Sequence, residues 1–208
     1  MSLILRRIVK IASVFAFIGW LSQPASAQAS ATDLVERLNH TLIDVMQNAD
    51  TLGYDGRYKT LAPVLQDSFD FPLMAKVAVG KYWKGLDDEQ KKQLIQSFAR
   101  LSVATFASRF DGYGGEVFEV EGESNQRKNT VLVSNKLVKS SGEVVPLNYL
   151  LRESDGGWRI VDVYLDAKYS ELALKRSEYS SVVSREGFDA LIGIMENKIA
   201  TLASAPGG

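Results

Sequence analysis

Residues 144–165 read "VVPLNYLLRESDGGWRIVDVYL". Two apolar, β-rich runs, Val144 to Leu151 and Trp158 to Leu165, flank the polar segment "ESDGG", whose glycines suit a turn. Side chains alternate across a strand, so Val145, Leu147, Tyr149 and Leu151 share one face of the first run. Val161, Val163 and Leu165 share one face of the second. The alternate positions still hold Leu150, Trp158, Ile160 and Tyr164, which makes both faces fairly apolar. A sheet of this kind needs a cover on both sides, or a ligand on one of them.

Outward from this hairpin the period of two extends from Glu116 to Asp166. Val117 to Val120 and Thr130 to Val138 are further β-rich runs, and "EGESNQRKN" and "KSSGE" supply the turns. Four consecutive strands with short connections predict an antiparallel meander. On the N-terminal side the period becomes helical. Leu34, Leu38, Leu42, Val45 and Met46 form one stripe between Thr32 and about Asp50, with Thr32 or Asp33 as the cap. "GYDGR" reads as a turn, and Pro63 starts or kinks a short helix after it.

Phe71 to Val79 is a short helix set between Asp70 as N-cap and Gly80 as terminator. Asp87 caps the longest helix, with Gln90 in the capping-box position and Leu94, Phe98, Leu101 and Phe106 among its apolar residues. After the sheet come two more helical patterns that meet near Arg185 to Gly187. The fold class is therefore α+β: a curved four-stranded antiparallel sheet packed with four to six helices, cone-like (NTF2-like), with the long helix across the concave side and an apolar cavity.

A chain of 208 residues, 46% hydrophobic and 24% charged, suits one globular domain with a real core. Its first 27 residues stand apart. Arg6, Arg7 and Lys10 precede an apolar run from Ile11 to Leu21, and Ala25-Ser26-Ala27 gives the small-residue pattern of a signal-peptidase site. That run is short of the ~20 residues a spanning helix needs. The expectation is a leader over 1–27, cleaved after Ala27, and a single exported domain over 28–208 in the periplasm. Removing the leader leaves 21 basic against 25 acidic residues, a formal charge of −4, which offers no general attraction for nucleic acid. With no cysteine there is neither a disulfide nor a thiolate nucleophile. No long apolar stripe is left over, so a monomer is expected.

Catalytic patterns are scarce. His40, the one histidine, falls on the polar side of the first helix and reads as an exposed structural residue. The glycine clusters at Gly112 to Gly115 and Gly156-Gly157 lack phosphate-cradle spacing. Asp162 has some interest: beside Tyr164 and facing a cavity it could serve as a base, and otherwise it is a surface aspartate paired with a basic neighbour. An enzyme using Asp162 and Tyr164, or an envelope factor that binds other proteins, are the rival classes.

"DFPLMAKVAVGKYW", residues 70–83, carries an apolar surplus. Phe71, Met74, Val77, Val79, Tyr82 and Trp83, with Phe69 before them, cover nearly every side of a short helix, whereas packing on one sheet needs only one stripe. A helix between a core on one side and an apolar pocket on the other would use it.

This block continues as "FDFPLMAKVAVGKYWKGLDDEQKKQLIQSFARLSVATFASRFDGY" and resembles the signature of the MlaC and toluene-tolerance auxiliary proteins: an F-D-F segment, a Met-Ala pair, a G-x-Y-W element and a D-x-E-Q-x-x-x-F helix. Gly157 to Val163 is similar to the family's G-W-K-I-x-D-V strand, and Gly187 to Leu191 to its terminal G-x-D-x-L. "AKYSELALKRSEYSSVV" departs from the common form and is similar to the hopanoid-associated HpnM branch. The resemblance implies a non-enzymatic periplasmic carrier with no cofactor. Its cargo is phospholipid or hopanoid, moved between an inner-membrane ABC transporter complex and outer-membrane lipid-handling proteins. The pocket candidates are Phe71, Met74, Val77, Trp83, Phe98, Leu101, Phe106, Leu147, Tyr149 and Val163, whose aromatic rings suit fused hopanoid rings and whose Met suits an adaptable wall.

Overall fold

The computed structural model describes residues 29–127, 129–154 and 156–204. The leader read over 1–27 lies outside the described residues. One antiparallel sheet runs in the order β1 (Val117–Asn125), β2 (Thr130–Val138), β3 (Val144–Ser154), β4 (Gly157–Leu165) and β5 (Tyr169–Ser170). The four expected strands are present, and the two-residue β5 corrects their number. It arises because Asp166 and Ala167, at φ 50° and 56°, form a two-residue turn closed by Lys168 N–H donating to Leu165 O at 3.1 Å. Left-handed backbone at both central residues is the hairpin geometry of a type I′ turn. "Asp-Ala" lacks the glycine that would have announced it.

Register corrects the face reading of β4. Leu150 stands opposite Asp162 but Leu151 opposite Ile160, so Val161 is the extra residue of a bulge. The alternation slips there, and Ile160 joins Val163 and Leu165 on the inner face.

Among the described residues six α-helices cover that inner face and flank it. In α1 (Ala31–Gln47) the cap is Ser30, not Thr32 or Asp33: Ser30 Oγ accepts from Asp33 N–H at 3.0 Å, and Asp33 Oδ2 accepts from Ser30 N–H at 2.8 Å. These bonds also hold the Asp33 carboxyl below the usual carboxylate range, the backbone bond first among them. Leu34, Leu38 and Leu42 of α1 are buried against the β1–β2 half of the sheet, and Asn39 Nδ2 donates to Asn135 Oδ1 of β2 at 2.8 Å to fix that docking.

The expected turn at "GYDGR" is instead helical. It lies within α2 (Ala49–Ser68), which kinks at Gly53, φ 55°. Arg57, 4% exposed, holds the kinked segment in place by donating from Nε to Ala107 O at 2.9 Å and from Nη1 to Ala49 O at 3.2 Å. Those carbonyls supply the polar partners that a buried guanidinium requires.

Two capping expectations hold in detail. Asp70 Oδ1 accepts from Leu73 N–H at 3.0 Å at the start of α3 (Phe71–Val79), and Gly80 ends it at φ 57° before a 3₁₀ turn over Gly80–Gly85. Asp87 and Gln90 form the capping box of α4 (Asp88–Arg109). α5 (Glu171–Glu186) and α6 (Phe188–Ser204) meet at Gly187, φ 91°. The long helix α4, however, does not lie directly on the sheet. It packs on α2, α3 and α6, because α1, α2 and α3 already occupy much of the inner face. A gap is left between α4, α5 and strands β2 to β4.

Candidate functional site

That gap is an apolar cavity of about 320 Å³. Its sheet wall consists of Leu137 of β2, Val145 and Leu147 of β3, and Val163 and Leu165 of β4. Pairing explains the grouping: Leu137 stands opposite Val145 and Leu147 opposite Leu165, so these side chains emerge on one face. The α4 wall is Ser102, Thr105, Phe106 and Arg109, a stripe at spacings of three and four. Phe69, Met74 and Leu172 close the remaining sides.

Two hydroxyls in an apolar wall need partners, and both have them within α4. Ser102 Oγ donates to Phe98 O at 2.9 Å and Thr105 Oγ1 to Leu101 O at 2.8 Å. Hydrocarbon can therefore lie against these residues without stranding a donor. Along the same side, aromatic rings form a continuous row: Phe71 stacks on Phe69 at 5.5 Å, Phe69 meets Phe106 edge-on at 5.9 Å, and Phe106 meets Phe110 at 5.6 Å. Close-packed rings at such distances make a stiff, apolar partition.

Of the pocket candidates, Met74, Phe106, Leu147 and Val163 line the cavity. Phe71, Phe98 and Leu101 are buried in the core behind it, where Phe98 packs between Phe71 and Tyr179. Phe71 also borders an outer groove with Pro72 and Ile95 whose rim carries Gln66, Gln93 and Gln96. Val77 and Trp83 are half-buried at the edge of the core. Tyr149, opposite Val163, is fully buried, and its hydroxyl has no hydrogen-bond partner among the described residues. Burial pushes its pKa up. The pocket candidates left out six apolar lining residues, Phe69, Phe110, Leu137, Val145, Leu165 and Leu172, although the shared parity of Val145 and Leu147 was an available signal, and they left out Ser102 and Thr105 because only apolar side chains were considered; the spacing of these two with Phe106 along α4 was the signal there.

Asp162 fits neither description drawn from the sequence. It is 6% exposed and, opposite Leu150, belongs to the outer parity of β4 together with Tyr164. Its Oδ1 accepts from Val163 N–H at 2.8 Å and from Leu172 N–H at 3.0 Å, while Oδ2 accepts from Ser170 Oγ at 2.5 Å. Those bonds anchor the first turn of α5 to β4, which is why a carboxylate sits in this strand. His40 is exposed, its Nδ1 3.1 Å from Asp44 Oδ2.

The chain is 19% identical over 186 residues to the intermembrane phospholipid transport system binding protein MlaC of Haemophilus influenzae, with 85% of each chain covered. Its fold matches that of a phospholipid-binding protein from Ralstonia solanacearum, solved in complex with a phospholipid, at a TM-score of 0.74 and 19% identity, covering 85% of this chain and 100% of that one. The family model of the MlaC protein matches residues 36–197. The chain belongs to the MlaC family.

Proposed function

We propose that this protein is a periplasmic carrier that takes the acyl portion of a phospholipid into the cavity between α4, α5 and the sheet, and so moves it between the inner and outer membranes. The observation that carries this reading is the cavity itself: an inner sheet face of Leu137, Leu147, Val163 and Leu165 held apart from α4, with wall hydroxyls that already have partners. Burying a chain of roughly 16 methylenes at ~0.8 kcal/mol each is on the order of 13 kcal/mol of gross transfer free energy, before ordering costs. A dry cavity can therefore hold lipid with no catalytic group.

The names of the H. influenzae relative and the R. solanacearum neighbour, both of which specify phospholipid, support the cargo. The leader pattern at residues 1–27 supports the compartment. In this reading an inner-membrane ABC transporter complex and outer-membrane lipid-handling proteins exchange lipid with the carrier. Spontaneous release against so large a transfer free energy is slow, so those partners open the cavity.

Native mass spectrometry of the mature protein, purified from its own envelope without detergent, tests the proposal. A co-purifying mass that fragments as a phospholipid is expected. A protein that stays bare after incubation with both phospholipid and hopanoid vesicles would overturn it, and a hopanoid mass alone would replace the cargo.

A further inference from the structure

A second concavity, outside the lipid cavity, lies between the 3₁₀ turn and α5, with a volume of about 440 Å³. Lys81 and Tyr82 come from the turn. Arg176, Ser180 and Ser184 come from α5 at spacings of four, and Ser181 and Arg185 repeat that spacing one position along. Gly80 brings the two sides together: it ends α3 at φ 57°, and Arg176 Nε lies 3.4 Å from where a Cβ would stand, so the guanidinium rests beside the turn. α5 is shared between two sites, since Leu172 and Lys175 line the lipid cavity.

Among the described residues this groove is lined by three cations and no carboxylate, although the mature chain carries a formal charge of −4. Glu171, Glu178 and Glu186, the acids of α5, lie outside the lining. The cations have little to hold them. Lys81 Nζ stands 5.1 Å over the Tyr82 ring, and Arg185 reaches Glu186 only at 3.7 Å, with both side chains more than half exposed. Among the described residues Lys81 and Arg176 make no salt bridge. A hydrogen bond with Ser184 outweighs desolvation and, with the Lys81 charge, holds the Tyr82 phenol below the usual tyrosine range. Negative charge is thus favoured in a group that is itself part of the lining.

We infer that this groove is the docking surface for an acidic, extended segment of a membrane-bound partner protein that exchanges lipid with the carrier. The inference rests on the lipid-carrier reading and places that partner on the molecule. Charge complementarity names the chemistry: the two arginines take carboxylates through paired donors and the lysine adds a point charge, on a domain whose net charge otherwise repels acidic chains. Arg176 and Arg185, nine residues apart on one helix, are separated by about 14 Å along its axis, the reach of about four extended residues. Between them the serine hydroxyls can both donate to and accept from a peptide backbone. A concavity of this length fits a peptide segment better than a flat bilayer. Its occupant bears on the helix that also walls the cavity, as suits a partner that unloads it.

Lipid delivery from phospholipid-loaded mature protein tests the surface, with vesicles of its own envelope membranes and protein-free phosphatidylglycerol liposomes as acceptors. Wild type is expected to deliver to the envelope vesicles at least about tenfold faster than to the liposomes. The Lys81→Gln/Arg176→Gln/Arg185→Gln variant is expected to lose that advantage, with lipid loading and liposome delivery unchanged, and Lys81→Arg/Arg176→Lys/Arg185→Lys is expected to keep it. A peptide of alternating Glu and Gly should inhibit delivery by wild type to the envelope vesicles, and its Gln counterpart should not. An undiminished rate in the triple Gln variant, or equal inhibition by the two peptides, overturns the surface and leaves the carrier standing. Equal slowing of the variant on liposomes makes the occupant a bilayer, and wild-type dimers that the variant no longer forms in sedimentation make it a second copy; each overturns the assignment. Wild type that delivers no faster to envelope vesicles than to liposomes has no protein to dock and also overturns it. Wild type that takes up no phospholipid overturns the carrier reading itself.

Discussion

Asp162 Oδ1 accepts the backbone N–H of Leu172 at 3.0 Å, which ties the first turn of α5 to β4 across the edge of the cavity. Leu172 lines that cavity, so one carboxylate sets the position of a wall. Replacement Asp162→Ala strands the N–H of Leu172 and that of Val163 and removes the partner of Ser170. Urea unfolding is expected to show a loss of about 3 kcal/mol, and the variant should hold less lipid at equal protein concentration. An unchanged midpoint would mean that α5 is positioned by other contacts.

Tyr149→Phe is expected to have the opposite sign. Its buried hydroxyl has no partner among the described residues, so removing it costs none of their hydrogen bonds and is expected to leave stability equal or raised by about 1 kcal/mol. A fall of more than about 1 kcal/mol would show that the hydroxyl is satisfied in solution.

The same residue gives a pH dependence. Burial raises the folded-state pKa of Tyr149, so the unfolded chain releases that proton first as pH climbs past about 10. Its contribution is intact below pH 10 and is lost above it. Tyr179, also raised by burial, acts in the same direction. Stability measured from pH 9 to 11 should fall, and Tyr149→Phe should flatten the slope; an identical slope in the variant would exclude Tyr149 as a source.

Ala167 holds φ 56° in the turn before β5, a conformation in which a Cβ costs roughly 1 kcal/mol and glycine is at ease. Ala167→Gly should therefore raise the unfolding free energy, by less than that strain because glycine also loosens the unfolded chain. Thermal or urea unfolding checks it, and a destabilised variant would argue against the left-handed turn.

Much of this architecture was legible because local chemistry and global fold agree. Asp70 caps α3, Asp87 and Gln90 cap α4, and Gly80 and Gly187 end α3 and α5, as their spacing foretold, since each acts within a few residues of itself. The misreadings depend on distant partners. "GYDGR" stays helical because Arg57 is held by Ala107, fifty residues away. Val161 bulges out of register opposite Leu150 and Leu151, and period-two counting cannot detect an extra residue. On α4, Phe98 and Leu101 looked as suitable for a cavity as Phe106, and only the placement of α3 and α5 decided which side of the helix met the core.

Thr105 offers a way to fill the cavity without touching the core. Thr105→Trp puts an indole into the space beside Phe106, so lipid occupancy should drop at least about tenfold while stability changes by less than about 1 kcal/mol. Native mass spectrometry and urea unfolding on one preparation separate the two effects. Undiminished lipid loading in a folded variant would place the ligand elsewhere.

The most direct test is to find where the chain of the lipid lies. A phospholipid carrying a photoactivatable diazirine near the end of one acyl chain, loaded into the protein and irradiated, should label peptides containing Met74, Phe106, Leu147 or Val163, the residues that face the cavity. Labelling confined to the outer groove beside Pro72 and Ile95, or to the outer sheet face around Leu150 and Tyr164, would contradict a carrier that buries its cargo between α4 and the sheet.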